Sequence, residues 1–259
     1  MTAAINPTAL VHAEARIGAG VSIGPYSVVG PLVEIGDGTW IGAHVVLDGR
    51  TRIGRNNRIF HFCSLGAPPQ DKKYAGEDTG VEIGDGNTIR EYVTINRGTV
   101  LDAGTTRLGN LNWVMAYVHF AHDCQIGSNT IFANACQLAG HVTVGDWAVF
   151  GATTLVHQHV HIGAHAFTGM GTYLPQDLPP YVIAAGNMAQ PHGINKEGLK
   201  RRGFTPASIA GLKRAYRTLY RSGLGLEDAR RQLESQVADC PQVREILDFL
   251  ARSQRGIIR

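Results

Sequence analysis

Three short stretches hold the residues best suited to proton transfer: HFAHDC with His119, His122 and Asp123, LAGH with Gly140 and His141, and VHQH with His157, Gln158 and His159. A neutral imidazole, with an unperturbed pKa of about 6.5, is a competent base at neutral pH, so one histidine beside a carboxylate is enough to take a proton from a sugar hydroxyl. His122, with Asp123 to orient it, has that form. The Gly140 N–H, one structural repeat away, is placed to meet the oxyanion that develops when such a hydroxyl attacks a carbonyl carbon. This constellation suits acyl transfer. It needs no Ser or Cys nucleophile, and neither a Walker nor a Rossmann glycine motif is evident in the chain.

These residues converge only if the chain folds with a fixed period, and it has one. From Leu108 an apolar or small residue returns at every sixth position: Val114, Phe120, Ile126, Phe132, Leu138, Val144, Phe150, Val156, Ile162, Thr168 and Leu174. Six is an even number, so a strand with a side-chain alternation of two returns the same side to the core each time, and frequent small residues let the backbone turn. Three hexads closing one triangular coil give a repeat of 18 residues, stacked at about 4.8 Å, the spacing of hydrogen-bonded strands. The expected fold is mainly β, a parallel β-helix, over residues 1–189. Position 122 then stacks under 140 and 140 under 158. His122, Gly140, His141, His157 and Gln158 gather on one corner.

The hexads begin at Val11 and leave residues 1–10 no room for a separate N-terminal domain. They fail over APPQDKKYAGEDTG, Ala67–Gly80, a polar excursion exposing Asp71, Lys72, Lys73 and Tyr74. Long loops without their own structure are usually functional or disordered. Between Leu101 and Leu108 the spacing slips to seven, which reads as structural. After Leu174 the prolines at 175, 179, 180 and 191 end the coil, GNMAQPHG reads as a linker, and residues 190–259 form a C-terminal helical domain. Thr205 and Pro206 form an N-cap and N1 pair, and three amphipathic helices follow. Ahead of them, GINKEGLKRRGF places Asn195, Glu197, Lys200, Arg201 and Arg202 together, and paired arginines offer fork-shaped donors suited to a diphosphate.

The chain has 259 residues, 44% of them hydrophobic, with 32 glycines matching the turn density. Four scattered cysteines without a CxxC pair, no signal peptide and no long apolar run point to a cytoplasmic protein with free thiols and no stable membrane insertion. Residues 1–189 hold 10 Lys and Arg against 14 Asp and Glu, whereas residues 190–259 hold 14 against 7. A basic tail suits an anionic partner, and without a basic run interleaved with aromatics that partner is not nucleic acid.

Taken together, the hexads, QDKKYAGE, HFAHDC, LAGH, VHQ, PPYVIAAGN and EGLKRRGF resemble the UDP-N-acetylglucosamine O-acyltransferases of lipid A biosynthesis over essentially the whole chain. The resemblance implies a left-handed β-helix, an exception to the right-handed crossover rule, and a homotrimer with active sites between subunits. The implied reaction moves an (R)-3-hydroxyacyl group from the phosphopantetheine of acyl carrier protein to the 3-hydroxyl of UDP-N-acetylglucosamine, with no other cofactor and no metal. His122 would be the base, Asp123 its orienting partner and the Gly140 amide the oxyanion donor. Gln70, Asp71 and Lys73 would lie at the sugar with His119, His141, His157 and Gln158 close by, and Asn195, Glu197, Arg201 and Arg202 would hold the uridine diphosphate. The acidic carrier protein suits the basic tail. One departure is INRG, where Asn96 replaces the expected His. Met170 would close the acyl groove. It lies 48 residues beyond His122, about 13 Å along the rod and close to the span of about ten carbons. Because 48 is not a multiple of 18, the groove is expected to pair His122 with Met170 of a neighbouring subunit.

Two other readings compete. A zinc enzyme of the β-helical carbonic anhydrase kind would also place three histidines at a corner, but in part through an H-x4-H pair, whereas the pair here is H-x2-H with Asp attached. The related UDP-acylglucosamine N-acyltransferases share the coil but add an N-terminal domain.

Overall fold

The computed structural model describes residues 2–259, and in it the hexads fold as two-residue strands separated by turns. Pairs such as Trp113–Val114, Ile131–Phe132 and Val149–Phe150 stack in parallel register. The chain visits three sheets in fixed order. Face one has 11 strands from Ala4–Ile5 onward, face two has 9 from Leu10–Val11 to Tyr173–Leu174, and face three has 8 from Arg16–Ile17 to His161–Ile162. The result is a left-handed parallel β-helix of triangular section.

The hexad residues fill the prism. Phe120, Phe132 and Phe150 are among its largest fully buried side chains, with ring centroids 4.8 and 4.5 Å apart. At the edges the chain turns through the left-handed region even at large residues, as at Trp147 (φ 63°) and His165 (φ 59°). Such a residue costs about 1–2 kcal/mol. The backbone bonds between successive coils, such as Trp147 N–H to Ser128 C=O at 2.9 Å, offset it.

A buried ladder of side chains measures the coil length directly. Asn57 N–H bonds Thr39 Oγ1 across 18 residues, Asn87 N–H bonds Asn57 Oδ1 across 30, Asn112 N–H bonds Asn87 Oδ1 across 25, and Thr130 N–H bonds Asn112 Oδ1 across 18. Two coils are therefore lengthened. One carries the polar excursion, and the other carries extra residues after Asn96. Both loops leave the edge between faces two and three, from Ser64–Ala67 to Gly80–Ile83 and from Thr94–Asn96 to Thr105–Leu108. Leu101, read as a hexad start, is instead 69% exposed in the second loop. Its spacing matched by coincidence, because the inserted loop is nearly a hexad long.

The coil also runs further than the prolines suggested. Val182–Ala185 pairs in parallel with Phe167–Thr168, and Gln190–Ile194 returns antiparallel to it, so the stretch expected to be a linker is a hairpin closing face one. The expected boundary at 189/190 cuts through this hairpin. Prolines tolerate this position because face one ends here and few N–H groups are needed beyond it. The tail then forms α1 (Lys196–Arg201), α2 (Pro206–Arg221), α3 (Leu226–Gln236) and α4 (Val243–Arg252). Thr205 caps α2 by accepting from Ser208 N–H at 3.1 Å, with Pro206 at its first position. Leu212, Leu219, Leu233, Leu247 and Leu250 make the tail's own core, and the Tyr181 hydroxyl ties it to the coil by donating to Glu245. No helix among the described residues is long and apolar enough to cross a membrane.

Candidate active site

His122 stands at the edge between faces two and three, in the turn from His119–Phe120 to Gln125–Ile126. Its Nδ1 lies 3.0 Å from Oδ2 of Asp123. Asp123 occupies the left-handed position of the turn (φ 61°), which folds its side chain inward until it is fully buried. Two donors from the second loop hold the carboxylate. The Thr99 N–H lies 3.0 Å from both oxygens and the Thr99 hydroxyl 2.7 Å from Oδ2. A carboxylate oxygen accepts only, so in this pair Nδ1 of His122 carries the hydrogen and Nε2 keeps its lone pair.

Gly140 lies beside the His122 ring, one coil along. A Cβ there would fall 2.6 Å from Cε1 and 2.8 Å from Nε2 of His122, so only a residue without a side chain lets the ring lie against the backbone. The coil ladder leaves the Gly140 N–H without a backbone acceptor among the described residues, while its C=O accepts from His159 N–H at 3.0 Å. His141, in the left-handed position above Asp123 (φ 65°), stands edge-on to His122 at 4.9 Å and stacks on His159 at 4.3 Å. Its Nδ1 is 2.6 Å from Oδ2 of Asp102, in the second loop. His119 is half-buried on face two, with Nδ1 2.7 Å from the Thr94 hydroxyl; burial and then the neighbouring His122 hold its pKa below the usual imidazole range. His157 turns to the C=O of Gln158 at 3.2 Å, and Gln158 is exposed.

The excursion loop springs from the same edge two coils earlier. Asp71 accepts from Lys73 N–H at 3.0 Å, and Gln70 and Lys73 are exposed. Asn96 is buried and donates to Pro68 C=O at 3.1 Å, and Arg97 reaches the Tyr74 hydroxyl at 3.1 Å, so this departure from the expected His pins the loop's base. The second loop, read as structural, supplies Thr99 and Asp102 to the histidine cluster. That reading is corrected. A break in period is a visible signal, but the sequence does not reveal which way its side chains turn.

The tail residues lie elsewhere. Asn195 caps α1, accepting from Gly198 N–H at 3.1 Å, and also donates to His165 C=O at 3.0 Å. Arg202 stacks over Trp147 at 4.5 Å and donates to Gly198 C=O at 3.2 Å, while Glu197 pairs with Lys200 at 3.0 Å. With Arg201, Asn195, Glu197 and Arg202 line a cavity of about 480 Å³ against Trp147 and Phe167. This cavity sits by the edge between faces three and one. Met170, 79% exposed, lies on the remaining edge, between faces one and two. The chain thus brings His122, Asp123, Gly140 and His141 together but spreads the tail cations and Met170 over its other two edges.

His122, Asp123 and His141 also present donor atoms within 4.8 Å of one another, the spacing a metal ion would need. Asp123, however, already meets Thr99 and His122. The buried Cys124 is no nucleophile, since burial pushes its thiol up to about 12.

Residues 177–258 match the family model described as UDP-N-acetylglucosamine O-acyltransferase, domain 2. The chain is 58% identical over 257 residues to the acyl-[acyl-carrier-protein]–UDP-N-acetylglucosamine O-acyltransferase of Thiobacillus denitrificans, covering 99% of this chain and 100% of that one. Among solved structures it is similar to the UDP-N-acetylglucosamine acyltransferase of Francisella novicida (TM-score 0.96, 41% identity, 98% of this chain and 94% of that one). The acyltransferase of the same name from Bacteroides fragilis gives a TM-score of 0.95 at 43% identity, with 98% and 99% covered.

Proposed function

The chain belongs to the UDP-N-acetylglucosamine O-acyltransferases, and we propose that its His122 edge transfers an (R)-3-hydroxyacyl group from acyl carrier protein to the 3-hydroxyl of UDP-N-acetylglucosamine, the first step of lipid A biosynthesis. The observation that carries this is the His122–Asp123 pair, 3.0 Å apart, with the ring against Gly140. The sugar oxygen attacks the thioester carbon while its proton passes to Nε2 of His122. The carbonyl electron pair moves onto oxygen, where the Gly140 N–H meets it. Collapse of this intermediate expels the phosphopantetheine thiolate, and the proton on His122 passes to that sulfur. Asp123 stabilises the imidazolium between the two transfers.

In this reading Gln70, Asp71, Lys73, His119, His141, His157 and Gln158 surround the sugar, and the cavity at Arg201 and Arg202 takes the diphosphate. The separation of these groups over three edges supports a homotrimer in which neighbouring protomers complete each site. A groove of about 610 Å³ on the tail, lined by Lys196, Lys200, Lys213 and Arg217 around Phe204 and Tyr216, supports docking of the acidic carrier protein. All of this fits a cytoplasmic enzyme that uses no cofactor beyond the carrier's phosphopantetheine.

The test is turnover of 3-hydroxyacyl carrier protein with UDP-N-acetylglucosamine, alongside calorimetric titration of the UDP-sugar. His122→Ala should lower kcat by about 10²–10⁴-fold with sugar-nucleotide binding much less affected. Arg201→Ala should instead weaken UDP-sugar binding. Near-normal turnover in the His122 variant would sink the assignment.

A further inference from the structure

The second loop does more than hold Asp123. It is folded back on itself, with Gly104 N–H donating to Thr99 C=O at 3.0 Å, and this brings Asp102 over the next coil to Nδ1 of His141 at 2.6 Å. His141 cannot share the carboxylate of His122: its Nδ1 is 3.9 Å from Oδ2 of Asp123, beyond hydrogen-bond reach, and Asp123 already meets Thr99 and His122. Nor is this an ordinary surface ion pair. Asp102 is half exposed, but the His141 side chain is only 15% exposed, lodged between the edge of His122 and the face of His159. A ring so confined has two useful orientations, related by a flip that exchanges Nδ1 with Cδ2 and Nε2 with Cε1. Asp102, which accepts only, selects the one with hydrogen on Nδ1 and a lone pair on Nε2.

We infer that Asp102 is a positioning residue: it fixes the orientation and tautomer of His141 so that its Nε2 accepts a hydrogen bond from a hydroxyl of the sugar substrate beside His122. The site then holds two carboxylate–imidazole pairs one coil apart, one taking the reacting proton and the other gripping the sugar, both set by one loop. This rests on the acyl-transfer reading above.

A double-mutant cycle in the full-length enzyme tests it. Asp102→Ala should lower kcat/KM for UDP-N-acetylglucosamine about tenfold, the weight of one charge-assisted hydrogen bond, chiefly through KM. Added to His141→Ala, it should cause no further loss. Asp102→Glu should recover part of the activity. In ¹⁵N-histidine NMR spectra, the His141 signals should show hydrogen on Nδ1 in the wild type and shift toward the other tautomer in Asp102→Ala. If Asp102→Ala matched wild type, or its loss multiplied with that of His141→Ala, the inference would be overturned while a dead His122→Ala left the acyl-transfer reading standing. Near-normal turnover in His122→Ala would bring down both.

Discussion

A Cβ at position 140 would sit 2.6 Å from Cε1 of His122, closer than carbon atoms tolerate, so an added methyl must push the imidazole off its place. The backbone itself has no such difficulty, because Gly140 is not in the left-handed region and its C=O stays in the coil ladder. Gly140→Ala therefore separates catalysis from folding. We expect kcat to fall by about 10²-fold, the cost of displacing a catalytic group by about 1 Å, with the melting temperature close to wild type. Unchanged turnover would show that the ring has no need to lie against this amide. The same tight contact explains why a glycine, with no chemistry of its own, belongs with His122 and Asp123.

The tail and the coil meet along the third edge, where Trp147, His165 and Tyr181 stack in successive coils and Phe204 lies edge-on to His165 at 5.2 Å. His165 pays for that position in its titration: burial, and then the nearby Arg202 charge, lower its pKa to about 4. Its folded-state pKa thus lies below the unfolded value of about 6.5. The neutral ring contributes stability that is present above pH 6.5 and is lost as pH falls through about 4, since the unfolded chain binds the proton more readily. His165→Phe keeps a flat ring in the stack and removes the titration. Melting temperatures of this variant should fall less than wild type between pH 6.5 and 4, and an identical pH slope would show that His165 plays no part in the acid lability of the junction.

At the scale of the molecule, the three faces differ in what they show to solvent. Face three presents ion pairs such as Arg16–Glu34 and Arg107–Glu82, while face two exposes Leu10, Val28, Val46 and Leu155. The edge between faces one and two carries a half-exposed stack of Tyr26, His44, Phe62, Tyr92 and Tyr117. Apolar surface of this extent favours burial against other copies. Light scattering should give three times 27.9 kDa, and a stable monomer at micromolar concentration would count heavily against a site shared between subunits. Met170 lies on the same edge, and in the proposed trimer it would close a neighbour's groove. Even the two surplus methylenes of a twelve-carbon chain forced against it would cost about 1–3 kcal/mol as overpacking and forgo roughly 1.6 kcal/mol of burial, and a fourteen-carbon chain would lose more. Wild type should prefer 3-hydroxydecanoyl donors, with Met170→Gly shifting the preference toward 3-hydroxymyristoyl. A wild type already best with the fourteen-carbon donor would refute the ruler.

The sequence by itself determined the coil, because a period of six in apolar residues admits only one regular way to keep the same side inward, and an 18-residue coil then places 122, 140 and 158 in one column. It also determined the cap of α2, a local matter of Thr205 and Pro206. The tertiary structure alone decided what the two breaks in the period do. Thr99 and Asp102 meet Asp123 and His141 across 24 and 39 residues of chain, and no periodicity encodes where an irregular loop points its side chains. The hairpin at Val182–Ile194 was hidden for a related reason: Pro191 and Gly193 read as a break, and only pairing with Val182–Ala185, itself docked on Phe167–Thr168, makes them part of a strand. Nor did the sequence show that Asn195 and Arg202 are held by α1 and Trp147, since those contacts exist only once the tail has docked on the coil.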